Sequence, residues 1–171
     1  MLDRIPNSID PFAFCEKRKV LSGNFLPKDC HRLQDLLFDH EGEIHVEFGF
    51  DKERRQPVIN GHLSGCLNLV CQSCLESVQW CFDKTFKLGV VNSIDQADRL
   101  TIDCEPLVVS EDSEISLLEL VEDELLLALP DFPKHEHLCG HRASDLEVDS
   151  EASNNHHNPF SVLANLKITG E

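Results

Sequence analysis

Apolar and polar positions along this 171-residue chain follow two periods, and the change from one to the other marks out its elements. Ile44, Val46, Phe48 and Phe50 alternate with Glu43, His45, Glu47 and Gly49, a period of two that predicts a strand with one buried face. Residues 51–56 read as a charged turn. Residues 58–70 read as a second strand, where Gly61 and Gly65 predict a bulge or a close backbone approach. In a third strand Trp80, Phe82, Phe86, Leu88 and Val90 alternate with Gln79, Asp83 and Lys87. Ile102 and residues 107–109 supply a fourth.

The helical period is clearest over residues 117–129. Ser116 and Glu119 form an S-x-x-E capping box, and Pro130 stops the run. Leu117, Leu118, Leu120, Val121, Leu125, Leu127 and Ala128 cover about 200° of the helix circumference. Glu119, Glu122 and Asp123 take the opposite side. Glu124 breaks the pattern by falling inside the apolar arc, and Leu126 breaks it by falling among the acids. Shorter helices are expected over residues 12–19, where Asp10 and Pro11 supply a cap and a first-turn proline, and after Pro27 with Leu33, Leu36 and Leu37. Asn158 and Pro159 repeat that start ahead of Phe160, Leu163 and Leu166.

This order predicts an α+β fold: one domain over residues 1–141, with a mainly antiparallel sheet of three to four strands packed by a central helix 116–129. Residues 142–157, polar and acidic without apolar periodicity, are expected to be a mobile loop, and residues 158–171 a short C-terminal helix and tail. A chain this long buries about 70% of its unfolded surface, and 41% apolar residues suffice for a core.

Charge changes the picture. The net charge of −16 excludes a generic phosphate-neutralising protein. Residues 101–171 carry 3 basic and 16 acidic side chains, whereas residues 1–60 carry 9 and 11, so two surfaces of different character are expected. Residues 1–10 mix Asp3, Arg4, Pro6 and Asp10, which is no secretory signal, and no apolar run is long enough to span a membrane. A cytoplasmic protein with reduced or metal-bound cysteines is expected.

Several stretches resemble one family. VEDELLLALP at residues 121–130 is similar to the hallmark segment of the bacterial YceD proteins, Cys71-Gln72-Ser73-Cys74 matches their C-x2-C, and NPFSVLANLK at residues 158–167 resembles their closing segment. Asp10, Pro11 and residues 16–19 fit the family's opening. The resemblance implies a factor needed for accumulation of large-subunit ribosomal RNA, acting in its synthesis, processing or stability, with no established catalytic activity. It also implies zinc in many relatives, held by a second cysteine pair after the Ala-Leu-Pro segment. This chain offers Cys139 and several histidines there instead.

The residues carry the chemistry as follows. A C-x2-C between two strands has the zinc-knuckle spacing, which lets two thiolates bind one tetrahedral ion. Cys139 and His141, with His137 as substitute, are expected to complete one structural zinc site with Cys71 and Cys74. A redox role for Cys71 and Cys74 would want the motif at a helix N-terminus in a βαβ setting, whereas a strand follows here. Cys15, Cys30, Cys66, Cys81 and Cys104 read as small buried apolar residues. Glu124 needs a fixed partner such as Lys, Arg or a backbone N–H, or serves a zinc-bound histidine from behind.

Lys17, Arg18, Lys19, Lys52, Arg54 and Arg55 form the basic clusters, where phosphates of large-subunit rRNA or its precursor would bind if RNA is touched directly. The acidic part suits basic ribosomal or assembly proteins, with Glu119, Glu122, Asp123 and Leu126 as contacts. The alternatives are a zinc-storage or thiol-redox protein and an rRNA-processing nuclease. No G-x-S-x-G or H-E-x-x-H motif stands in the chain.

Overall fold

The computed structural model describes residues 5–101, 103–110, 113–137 and 139. In chain order these form β1 (Ser8–Ile9), α1 (Pro11–Glu16), β2 (Val20–Phe25), two single 3-10 turns (Pro27–Asp29 and His31–Leu33), β3 (Ile44–Glu53), β4 (Gln56–Val70), β5 (Ser77–Val91), α2 (Ile94–Ala97), β6 (Glu105–Val108), β7 (Ile115–Ser116) and α3 (Leu117–Ala128). The expected loop at 142–157 and helix at 158–171 lie outside the described residues.

The α+β class and the mainly antiparallel sheet are as expected. Among the described residues the sheet has five strands in the order β2-β3-β4-β5-β6, with only β5 and β6 parallel, and β1 pairs with β7 in a separate two-stranded ribbon. Period-two patterning sets its faces. On β3 the side chains of Ile44, Val46, Phe48 and Phe50 are buried in a core that α1 and α3 also enter, and the alternate residues face outward. Phe14 of α1 meets Phe50 edge-on at 5.2 Å between ring centroids. Leu117, Leu120, Val121 and Leu125 of α3 complete the same core. Both helix starts use the expected caps: Asp10 accepts from the Ala13 N–H at 3.0 Å and Ser116 from the Glu119 N–H at 3.2 Å.

Gly61 and Gly65 serve a close approach. They sit opposite Phe86 and Phe82 on β5, whose rings lie across the bare backbone. A Cβ at Gly61 would fall 1.9 Å from the Phe86 ring, and one at Gly65 2.5 Å from the Glu43 carbonyl.

Several expectations are corrected. Residues 20–25, which follow the helix expected over residues 12–19 and were assigned to no element, form the edge strand β2. The helix expected after Pro27 is two 3-10 turns, because residues 36–38 pair instead with the overhanging end of β4: Leu37 bridges Leu69, and the Phe38 N–H donates to the Asn68 carbonyl at 2.8 Å. Leu36 is consequently exposed.

On α3 the buried arc is wider than expected and turned, since the turn at His31–Leu33 covers the helix on a second side. Glu122 is buried, Leu126 packs against the core, and Leu127 is 72% exposed. Cys66 and Cys81 are not buried apolar fillers. They face each other across β4 and β5 on the outward side and form a disulfide. Cys15, Cys30 and Cys104 are buried, as expected.

Candidate metal centre and basic edge

The loop between β4 and β5 is wound tightly around its two cysteines. The Leu75 N–H donates to the Cys71 carbonyl and the Cys71 N–H to the Glu76 carbonyl, both at 2.9 Å, while the Ser73 N–H points at Cys71 Sγ at 3.4 Å. Leu75 takes a left-handed backbone (φ 64°), a position glycine fills at least cost. The segment after α3 is tied to this loop by the Gln72 N–H, which donates to the Pro133 carbonyl at 2.8 Å.

Four donors converge there. The ligating atoms of Cys71, Cys74, His135 and Cys139 all lie within 4.8 Å of one another. Cys71 Sγ is 3.6 Å from Cys139 Sγ, and His135 Nδ1 is 3.5 Å from Cys74 Sγ and 3.3 Å from Cys139 Sγ. Zinc–sulfur bonds of about 2.3 Å place the corners of a tetrahedron about 3.7 Å apart, so this donor set fits zinc in chemistry and in size. His135 Nε2 donates to the Ser77 carbonyl at 2.9 Å, which leaves Nδ1 as the lone-pair nitrogen facing the thiols. Burial alone would raise the Cys71 thiol, but N–H donors from Cys74, Ser73 and His135 and the Cys74 side chain outweigh it and bring its pKa to about 5. Cys139 moves the other way, to about 11, through desolvation and then the neighbouring sulfurs of Cys71 and Cys74.

Three of the four expected ligands, Cys71, Cys74 and Cys139, are thus brought together. The fourth donor among the described residues is His135, which spacing did not single out, while His141 lies outside them. The His137 ring lies tilted beside the His135 ring, 4.8 Å between centroids. Glu124 is not behind a ligand. It is buried with Lys84, whose ammonium is 2.9 Å from Glu124 Oε2 and donates to the Glu124 carbonyl at 3.1 Å.

At one end of the sheet the two basic clusters meet. Arg18 pairs with Asp51 at 3.0 Å and Lys52 with Glu16, which fasten the end of α1 to β3. Lys19 Nζ lies 4.6 Å from the centre of the Phe14 ring. Arg54 and Arg55 form the two-residue tip between β3 and β4, both left-handed at φ 48° and 79°, as a type I′ hairpin turn requires. Arg54 also lines a cleft of about 560 Å³ with Lys87, Arg99, Thr101 and Asp103. Lys87 is held by Glu53 at 2.8 Å, whereas Lys17, Arg54, Arg55 and Arg99 form no ion pair among the described residues. Arg99 was missed in the sequence because it stands alone there.

The acidic side of α3 is engaged within the fold. Glu122 accepts the Arg32 N–H at 3.0 Å, Asp123 pairs with the Arg32 side chain, and Glu119 remains exposed.

The family model described as large ribosomal RNA subunit accumulation protein YceD matches residues 59–167. A Haemophilus influenzae protein, named large ribosomal RNA subunit accumulation protein YceD, is 32% identical over 169 residues, covering 96% of this chain and 97% of the relative. This chain belongs to the YceD family. The match spans the cysteine loop, α3 and the segment carrying His135 and Cys139, so the donor cluster stands within the family's own region. No solved structure matches the chain. Among the described residues no helix is long and apolar enough to cross a membrane.

Proposed function

We propose that this chain is a non-enzymatic ribosome-biogenesis factor that supports the accumulation of large-subunit ribosomal RNA, the role for which its Haemophilus relative is named. One structural zinc clamps its fold. The donor set carries the non-catalytic part of this reading. Three sulfurs and one imidazole nitrogen fill a tetrahedral ion and leave no position for water or substrate, the mark of a structural site. Cys71 and Cys74 hold the ion from the loop after β4, and His135 and Cys139 hold it from the segment after α3.

The basic edge carries the RNA part. Lys17, Arg54, Arg55 and Arg99 are cations without carboxylate partners among the described residues, gathered at one end of a strongly acidic chain. Such groups suit phosphate oxygens of rRNA or its precursor, contacts that position a protein without reading sequence. Arg18, Lys19 and Lys52 brace that edge. The acidic residues of 101–171 repel RNA and suit basic ribosomal or assembly proteins.

Reversing the four free cations (K17E, R54E, R55E, R99E) in the full chain tests the RNA contact. Co-purifying rRNA is expected to fall at least tenfold, with a shallower dependence of affinity on salt. Unchanged rRNA recovery and an unchanged salt slope would move the contact elsewhere. Purified protein is expected to leave a model rRNA uncut; cleavage abolished by a single substitution would favour a nuclease instead.

A further inference from the structure

A groove of about 330 Å³ opens between the C-terminal end of α3 and the overhanging end of β4. Leu69, Val70, Leu126 and Leu129 supply apolar lining, and among the described residues the charged side chains on it are Asp35 and Asp131. Backbone hydrogen bonds fix two of its walls: the Val70 N–H donates to the Leu36 carbonyl at 3.4 Å, and the Gln72 N–H to the Pro133 carbonyl at 2.8 Å. Leu36 and Phe132, each next in sequence to one of the acids, are 44% and 73% exposed.

Three features select what such a groove accepts. Its volume is at the low end of the range for ligand sites, about 300–1,000 Å³, and suits a few side chains. Its apolar lining rewards buried aliphatic groups. Its electrostatics are of one sign, since α3 ends here with no basic residue in its last turn, so the negative end of the helix dipole adds to both aspartates.

We propose that this groove docks a short segment of a basic protein, in which aliphatic side chains enter the groove and flanking lysines or arginines meet Asp35 and Asp131. Apolar burial holds the segment, and the acids draw it in and exclude acidic sequences. The assignment rests on the ribosome-biogenesis reading only for the source of the partner, because ribosomal and assembly proteins are cationic.

The test titrates the full chain with three synthetic hexapeptides: two leucines flanked by lysines, the same leucines flanked by glutamates, and two serines flanked by lysines. Amide NMR shifts report the site. Only the first peptide is expected to bind saturably, with shifts centred on Leu36, Leu126 and Leu129. The D35K/D131K double variant, altered at two exposed positions, is expected to weaken binding at least fivefold with an unchanged circular dichroism spectrum. D35N/D131N is expected to fall between. Equal binding of the glutamate peptide, binding indifferent to charge reversal, or a self-associated dimer that buries these residues would overturn the proposal. In cells, D35K/D131K with normal rRNA levels but no peptide binding would uphold the groove and detach it from rRNA accumulation. Retained peptide binding in K17E/R54E/R55E/R99E, despite lost rRNA, would show the two surfaces to be independent and uphold the groove.

Discussion

Lys84 and Glu124 each violate the pattern of its own element, and each explains the other. Lys84 stands between Phe82 and Phe86 on the apolar face of β5, and Glu124 falls in the apolar arc of α3; in the fold they form one ion pair across the core. Breaking such a pair leaves a charge in a site built to exclude water. Lys84→Met is therefore expected to lower stability by about 2–4 kcal/mol, while Lys84→Met with Glu124→Leu recovers most of the loss. Chemical denaturation checks this, and a cost below about 0.5 kcal/mol for Lys84→Met would mean that the carboxylate is solvated.

Burial also pushes the Cys30 thiol up to about 12, with smaller contributions from Glu122 and Asp29, and the Cys15 thiol up to about 11. The unfolded thiols ionise near the ordinary value of 9.0, so their stabilisation is complete below pH 9 and is lost as pH rises through 11 to 12. Cys30→Ala is expected to flatten the fall in stability above pH 9, and an identical slope would contradict it.

At the scale of elements, the strands that carry the sheet were legible because one face of each is buried and the other is not. Period two survives along β3, and the same alternation located β5, while the run read as a strand over residues 58–70 is nearly the whole of β4. The glycines were legible as a bulge or a close approach; the structure has the approach, and the approaching group, an aromatic ring from β5, belongs to tertiary pairing. Gly61→Ala is expected to cost about 1–3 kcal/mol, since the Phe86 ring must leave its place. A melting temperature equal to that of the parent would show that the ring yields freely. β2 was not legible, because Ser22 and Gly23 punctuate it as a turn. The turns at residues 27–33 replace a helix for another reason: the end of β4 runs past β3, and its open side offers residues 36–38 a pairing that local propensity does not reveal.

At the scale of the molecule, the candidate metal site was legible in part. C-x2-C spacing announces half of a tetrahedral site, and Cys139 is a sparse enough residue to stand out as a third ligand. Spacing could not choose among the neighbouring histidines. His135 is distinguished by its Nε2–H bond to the Ser77 carbonyl, a contact that exists only once β5 and the segment after α3 are together. The basic edge has the same character: residues 17–19 and 54–55 were visible as clusters, but only the packing of α1 against β3 joins them, and the cleft beside Lys87 adds Arg99.

The proposed clamp would tie the loop after β4 to the segment after α3, whose converging donors are about sixty residues apart in sequence. Metal removal by a chelator is therefore expected to loosen this region first, seen as faster amide exchange at residues 71–77 and 133–137, and uniform exchange with and without chelator would contradict it. The most direct measurement is elemental analysis of the untagged full chain beside the Cys71→Ser/Cys74→Ser double variant. One zinc per chain, absent from the variant, is the expected result; a parent protein without zinc, or a variant that keeps it, would contradict the clamp.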